Sequence, residues 1–268
     1  MKILLMLAIG FAVAYALILL FARFFAHVII FPAPAPTYAA GSENVFFKLE
    51  DGTDIAGLYL PAENSKYCVI YSHGNGEDLG MIEPILRTFQ AAGVSVLGYD
   101  YVGYGLSKGK PSEKKLYEAA DAAWKYATEV LKFDENDIVL FGYSLGSAPA
   151  THLAARHPNA RALIISGGVA KGVYAILPWN IVPWDILNNV SRIEKTKAPI
   201  LFLHGTRDRI VPPRNARMNF AAAKSPARLV WLDDTGHLEL SESDGYWTEI
   251  LNFIKTPTDE KSTGNIVR

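Results

Sequence analysis

The 268-residue chain predicts an α/β protein, a mostly parallel sheet of about eight strands with helices on both faces. Three observations carry that expectation. Short runs nearly unbroken in Val, Ile and Leu, such as Cys68-Val69-Ile70-Tyr71-Ser72 and Ile138-Val139-Leu140-Phe141, suit strands covered on both sides. Segments with apolar residues at helical spacing separate those runs. Strand-helix alternation then implies right-handed crossovers and parallel pairing.

The amino-terminal segment stands apart. Residues 3–20 are apolar, with Lys2 before them and Arg23 after. A helix of about 20 residues crosses about 30 Å of hydrocarbon, so residues 3–22 read as a single-pass membrane anchor within residues 1–31. A cleaved signal peptide is the competing reading, but its apolar stretch is usually only about 7–15 residues. Here a second apolar patch follows (Phe24, Phe25 and residues 28–31), and the best cleavage candidate, Ala33-Pro34-Ala35, runs into Pro36. Lys2 and the amino terminus nearly balance Arg23, which leaves the positive-inside rule little to act on. Anchors near an amino terminus most often leave the bulk of the chain outside the cytoplasm, so the domain is expected on the non-cytoplasmic side. The alternating prolines of Phe31-Pro32-Ala33-Pro34-Ala35-Pro36 make residues 32–44 a semi-rigid spacer that lifts the domain off the bilayer.

Residues 45–256 are expected to form the folded domain. Residues 45–50 and 55–60 read as a hairpin around Asp51-Gly52. Residues 68–72 and 94–99 are strands, with a helix over 81–92 between them that stops at Gly93. The clearest amphipathic helix spans 112–133, with Ser112 as its cap and Leu116, Ala119, Ala120, Ala123, Trp124, Ala127 and Leu131 on one face. Strands follow at 138–141, 162–165, 200–203 and 229–232, and helices at 147–156, 213–223 and 246–254. Residues 257–268 are polar and unpatterned, a flexible tail.

Charge and cysteine usage narrow the function. There are 26 Lys and Arg against 27 Asp and Glu, spread along the chain, which gives no electrostatic reason to expect nucleic acid. The single cysteine, Cys68, allows no intramolecular disulfide and reads as a buried strand residue. No Cys/His cluster with zinc spacing and no Walker loop occurs, so no metal and no cofactor are expected.

In a parallel sheet, ligands bind beyond the carboxyl ends of the strands, so chemistry is sought there. The strand at 138–141 ends in Gly142-Tyr143-Ser144-Leu145-Gly146, and a helix begins at once. A sharp strand-to-helix turn lifts Ser144 clear of the backbone, and glycine at 142 and 146 removes the side chains that would collide with neighbouring strands and the turn. A serine hydroxyl needs a base. Of six histidines, only His237 lies late in the chain, on a polar loop just past a strand. His73 and His204 close strands, and His152 and His157 lie on the helix after Ser144. The base needs a carboxylate to orient it. Asp208 falls in the loop after the strand at 200–203, with Asp234 the second choice. An oxyanion needs two donors: the amide of Leu145 and, from His73-Gly74-Asn75-Gly76, the amide of Asn75, with His73 bracing that loop. The segment between residues 167 and 199 is short for a lid. It reads as a small packed helix and loop, or else as an apolar wall for an acyl chain, lined by Leu177, Trp179 and Trp184.

These residues resemble the alpha/beta hydrolase superfamily over residues 45–254. HGNG at 73–76, GYSLG at 142–146, HGTRD at 204–208 and GH at 236–237 appear in the family's order. Asp100-Tyr101-Val102-Gly103-Tyr104-Gly105-Leu106-Ser107 is similar to the family's D-Y-R-G-x-G-x-S, with valine where arginine is usual. The anchor, proline spacer and HGN resemble the membrane-anchored, bud-emergence-like branch, related to acyl-protein depalmitoylases and lipid esterases. The resemblance implies an alpha/beta hydrolase fold with a minimal lid, and a serine hydrolase acting on an acyl ester or thioester in a small-molecule or lipid-like substrate near a membrane. Two alternatives remain. A peptidase or amidase of the same fold usually carries a large extra domain, for which there is little room here. A non-catalytic anchored scaffold would have no need of the Ser-Asp-His set.

Overall fold

A computed structural model describes residues 2–172 and 186–266. Helix α1 (Lys2–Ile30) precedes the domain. Among the described residues the sheet has nine strands: β1 (Asn44–Lys48), β2 (Asp54–Leu60), β3 (Cys68–Ser72), β4 (Ser95–Tyr99), β5 (Ile138–Tyr143), β6 (Ala162–Ser166), β7 (Ile200–Gly205), β8 (Ala227–Leu232) and β9 (Lys261–Ile266). Their spatial order is β1-β2-β4-β3-β5-β6-β7-β8-β9. Strand β2 runs antiparallel to both neighbours, and every other pairing is parallel. The hairpin expected around Asp51-Gly52 is β1–β2.

Among the described residues six helices of the domain cover the sheet: α2 (Leu79–Ala91), α3 (Glu113–Lys125), α4 (Ser147–Arg156), α5 (Asn189–Ile193), α6 (Arg214–Ala222) and α7 (Tyr246–Lys255). The buried apolar residues form two layers. One face packs Leu116, Ala119 and Ala123 of α3, Leu153 of α4 and Ala216 of α6 against the sheet. The other packs Ile82, Leu86 and Phe89 of α2 and Ile250, Phe253 and Ile254 of α7. Strands β3, β4, β5 and β6 carry apolar side chains into both layers, and this explains their unbroken hydrophobic runs.

Helix α3 begins where expected, with the Ser112 hydroxyl accepting from the Lys115 amide. It does not stay α-helical to residue 133. Residues Tyr126–Val130 form a π turn, with Leu131 N bonding to the Tyr126 carbonyl at 3.0 Å. The Thr128 hydroxyl there donates to the Trp124 carbonyl at 3.0 Å, a side-chain bond that competes with the helical ladder.

Two segments depart from expectation. Residues 261–266, read as tail, form the edge strand β9 beside β8, in register from Ala227 opposite Lys261 to Leu232 opposite Ile266. That pairing rests on backbone hydrogen bonds and needs no apolar alternation, so the sequence carries little sign of it. Residues 31–38 are not a free spacer. Phe31 is only 5% exposed, and Thr37 and Tyr38 bond to Asp78 and Asp100 of the domain. Proline spacing sets the extension of a chain, not what the chain lies against.

Candidate active site

Strand register brings the functional loops to one rim. Ser72, the last residue of β3, pairs with Gly142 of β5, so the HGNG loop and the Ser144 turn leave neighbouring strands at one level. Gly205 of β7 pairs with Leu232 of β8, and the loops bearing Asp208 and His237 leave at the same end of the sheet.

Ser144 sits at φ +51°, a left-handed conformation unusual for a residue with a Cβ. The turn needs both flanking glycines. A Cβ on Gly142 would strike the Gly146 carbonyl, and one on Gly146 would strike the Ser72 carbonyl of β3. The first collision is with the turn, the second with a neighbouring strand. Residues Ser144–Gly146 form a 3-10 turn that runs into α4.

The structure brings Ser144, His237 and Asp208 together. Ser144 Oγ lies 2.9 Å from His237 Nε2, and His237 Nδ1 lies 2.6 Å from Asp208 Oδ2. A carboxylate only accepts, so Nδ1 donates its proton to Asp208. That leaves Nε2 with a lone pair aimed at the serine hydroxyl. Asp208 is buried, and its Oδ1 accepts from the amides of Ile210 at 3.0 Å and Val211 at 2.7 Å. His204 lies beside it, its Nε2 3.3 Å from Asp208 Oδ2. His204 Nε2 donates to the Val211 carbonyl at 2.8 Å, and burial pushes its pKa down, which favours a neutral ring. The second-choice acid, Asp234, points elsewhere and pairs with Arg207 at 2.8 Å on the surface.

Leu145 is buried directly after Ser144. Asn75 is exposed on the loop after β3, and its Oδ1 accepts from the Tyr104 hydroxyl at 3.1 Å. His73 is buried under this loop. Its Nδ1 donates to the Gly74 carbonyl at 2.9 Å, and its own carbonyl accepts from the Tyr101 hydroxyl at 2.5 Å. Burial holds the His73 pKa down to about 4. Val102, where the family usually has arginine, is buried in the apolar layer. Leu177, Trp179 and Trp184 lie outside the described residues.

Three further groups shape the site. Tyr143 stacks on His237 and donates its hydroxyl to the His237 carbonyl. Its place inside the GYSLG motif was the signal available. Glu77 accepts from the Gly74 amide at 2.6 Å, and burial raises its pKa. A charged residue one place past HGNG marked it. The Ser147 hydroxyl donates to the Ser144 carbonyl at 2.6 Å and accepts from Asn189 Nδ2 at 3.0 Å. Asn189 lies 42 residues away in sequence, and no local pattern reveals it. A charged cleft of about 530 Å³ lies away from this rim, against the β1–β2 turn and α3. Its Lys115, Lys125 and Arg156 pair with Asp51, Glu50 and Asp121, so its charges largely satisfy one another.

Known proteins resemble this chain to different degrees. A family model described as "Serine aminopeptidase, S33" matches residues 63–190, and one described as "TAP-like protein" matches residues 179–264. Among solved structures, an alpha/beta hydrolase from Penicillium sp. sh18 superposes with a TM-score of 0.69 at 20% identity, covering 79% of this chain and 97% of that one. The esterase domain of a Rhodothermus marinus protein superposes with a TM-score of 0.61 at 22% identity, covering 79% and 95%. These two show a common fold. In sequence, alpha/beta hydrolase domain-containing protein 17B from Xenopus tropicalis is 30% identical over 207 residues, 76% of this chain and 72% of that protein. The human protein of the same name is 29% identical over the same shares. With 30% identity to an alpha/beta hydrolase over about three quarters of its length, the chain belongs to the alpha/beta hydrolase superfamily.

Proposed function

We propose that this chain is a membrane-anchored serine hydrolase that cleaves an acyl ester or thioester through an acyl-enzyme intermediate. The observation that carries the reading is the continuous relay from Ser144 Oγ to His237 Nε2 at 2.9 Å and from His237 Nδ1 to Asp208 at 2.6 Å. Ser144 Oγ attacks the acyl carbonyl while His237 takes its proton. Asp208 holds the ring in one tautomer and stabilises the imidazolium that forms. The amides of Leu145 and Asn75 receive the oxyanion, where each such donor is worth about 3–4 kcal/mol. His237 returns the proton to the leaving alcohol or thiol. Water, deprotonated by the same ring, then releases the acid and regenerates Ser144.

The substrate is lipid-like or acylated and lies near a bilayer. Leu238 and Ile210, next in sequence to His237 and two places from Asp208, are 70% and 55% exposed and offer apolar surface beside the relay. Residues Lys2–Leu20 form a helix of mean hydropathy 2.8, exposed along its length, which supports an anchor. Phe31 at its end is buried in the domain core, so cleavage of the anchor past this residue would open a cavity. That favours retention over removal. The domain is taken to lie on the non-cytoplasmic side, and protection from protease added outside sealed, inside-out vesicles tests the side.

A fluorophosphonate probe tests the chemistry. The full chain in detergent should be labelled and the Ser144→Ala variant should not; equal labelling of both would end the proposal. An ester, thioester and amide panel then sorts the leaving group. The aminopeptidase description of the matching family model favours amide cleavage as the second reading, and faster turnover of amides than of esters would select it.

A further inference from the structure

We propose that Thr37 and Tyr38 are positioning residues, a strap from the membrane-side segment that holds the loop after β3 in the form that receives the oxyanion. The inference rests on the hydrolase reading above and adds to it a dependence of the site on the segment that leaves the anchor.

The strap starts on one face of the sheet and ends on the other. Phe31 is buried in the layer under α3, whereas Tyr38 packs against the layer under α2. Where it reaches the second face it meets two fully buried carboxylates, Asp78 and Asp100. Thr37 N donates to Asp78 Oδ2 at 2.6 Å, and the Thr37 hydroxyl donates to Asp78 Oδ1. The Tyr38 hydroxyl donates to Asp100 Oδ2 at 2.5 Å. Among the described residues neither carboxylate pairs with a lysine or arginine, so neutral donors carry their stabilisation.

Those two carboxylates bracket the HGNG loop. Asp78 closes it, accepting from Met81 N at 3.1 Å as the cap of α2. Asp100 Oδ1 accepts from Leu79 N at 2.9 Å and lies 3.6 Å from His73 Nε2, at the start of the loop. Among the described residues His73 Nε2 is buried with no hydrogen-bond partner, and it faces the Asp100 carboxyl at that 3.6 Å distance. The loop after Asp100 also holds the β3 loop from outside, through the Tyr101 hydroxyl on the His73 carbonyl and the Tyr104 hydroxyl on Asn75.

The domain makes room for the strap with two glycines. A Cβ on Gly80, in the first turn of α2, would lie 2.5 Å from Thr37 Oγ1 and 2.8 Å from Tyr38 Cβ. A Cβ on Gly105 would strike the Asp100 carboxylate and approach Tyr38 Cε1 at 3.0 Å. Side chains at either place would displace the strap.

Without the strap, both carboxylates lose donors, one at each end of a loop whose amide must meet an oxyanion at hydrogen-bonding distance. A shift on the order of 1 Å at such a donor costs about 100-fold in rate. The cost falls on the tetrahedral state and leaves ground-state binding alone.

The test uses the full chain in detergent and the variants Tyr38→Phe, Thr37→Val, their double, and Thr37→Ser. Three readouts are taken: kcat and KM on a nitrophenyl ester, the affinity of a trifluoromethyl ketone that forms a tetrahedral adduct with Ser144, and amide hydrogen exchange over residues 74–79. Tyr38→Phe should lower kcat about 10-fold and the double variant about 100-fold, with KM within about twofold of wild type. Ketone affinity should fall in step with kcat, exchange over 74–79 should quicken, and Thr37→Ser should match wild type. Wild-type kcat in the double variant overturns the proposal, as does a kcat loss with ketone affinity and loop exchange unchanged. Should the double variant not fold, Tyr38→Phe, which keeps the ring, decides by the same criteria. Failure of the hydrolase reading looks different: the wild-type chain itself is then neither active nor labelled, and unchanged loop exchange in Tyr38→Phe still overturns the strap.

Discussion

The ring of Tyr143 lies against the imidazole of His237, centroids 5.2 Å apart and planes 27° from parallel, with the Tyr143 hydroxyl 3.1 Å from the His237 carbonyl. The residue before the proposed nucleophile, Ser144, thus packs against the proposed base, His237. The strained turn that aims Ser144 and the ring that meets it share one wall. Replacing Tyr143 by Ala removes that wall and should lower kcat by about 10- to 100-fold with a smaller change in KM, since misplacement of the base is felt mainly in the transition state. Tyr143→Phe keeps the stacking and loses one hydrogen bond, so it should stay within about fivefold of wild type. Steady-state kinetics on a nitrophenyl ester check both.

Asp208 accepts from His237 and from two backbone amides at once. Asparagine there can donate to Nδ1 and so favours the other imidazole tautomer. Asp208→Asn should leave the fold intact and reduce kcat by about 10⁴-fold. Retention of more than a tenth of wild-type kcat, with native circular dichroism, would remove Asp208 from the relay.

Gly146 faces the Ser72 carbonyl so closely that a methyl group has nowhere to go. Gly146→Ala should destabilise the chain by more than about 2 kcal/mol through overpacking against backbone. Chemical denaturation of the folded domain reads the loss. A change within about 0.5 kcal/mol would mean that the turn is looser than its geometry implies.

The burial of Asp100 and of His73 makes stability depend on pH in two opposing ways. Burial raises the Asp100 pKa from 3.8 to about 7. Between those values the folded chain holds a proton that the unfolded chain has lost, so this group's contribution to stability falls as pH rises. Burial lowers the His73 pKa from 6.5 to about 4. Between those values the unfolded chain holds the extra proton, so stability rises with pH. The two slopes oppose each other from about pH 4 to 6.5, and only the Asp100 loss continues to about 7. Asp100→Asn should therefore unmask a stability that climbs steadily from about pH 4 to 6.5. Parallel wild-type and variant curves, from urea titrations across that range, would show that neither group is shifted as described.

The architecture was largely legible in the chain because its signals are local. The runs at 68–72 and 138–141 have to be strands covered on both faces, and the hairpin around Asp51-Gly52 is written in its turn residues. Ser144, Asp208 and His237 were legible for a related reason: each lies just past a strand, and parallel strands deliver their carboxyl ends to one rim. Strand β9 was not legible, because its pairing with β8 uses backbone groups common to any residues. Nor was the docking of residues 31–38, where proline spacing suggested a stand-off.

By itself, then, the sequence determined what period and turn chemistry control: the alternation of strands and helices, the glycines that permit the turn at Ser144, and the apolar segment at the amino terminus. Only the tertiary structure decided which of two aspartates meets His237, that Tyr143 packs against that ring, and that Thr37 and Tyr38 reach the carboxylates of Asp78 and Asp100. The physical reason is range. Backbone preference and hydrophobic period act within a few residues, whereas these contacts join groups 29 to 94 places apart and exist only once the sheet has set the register of its strands.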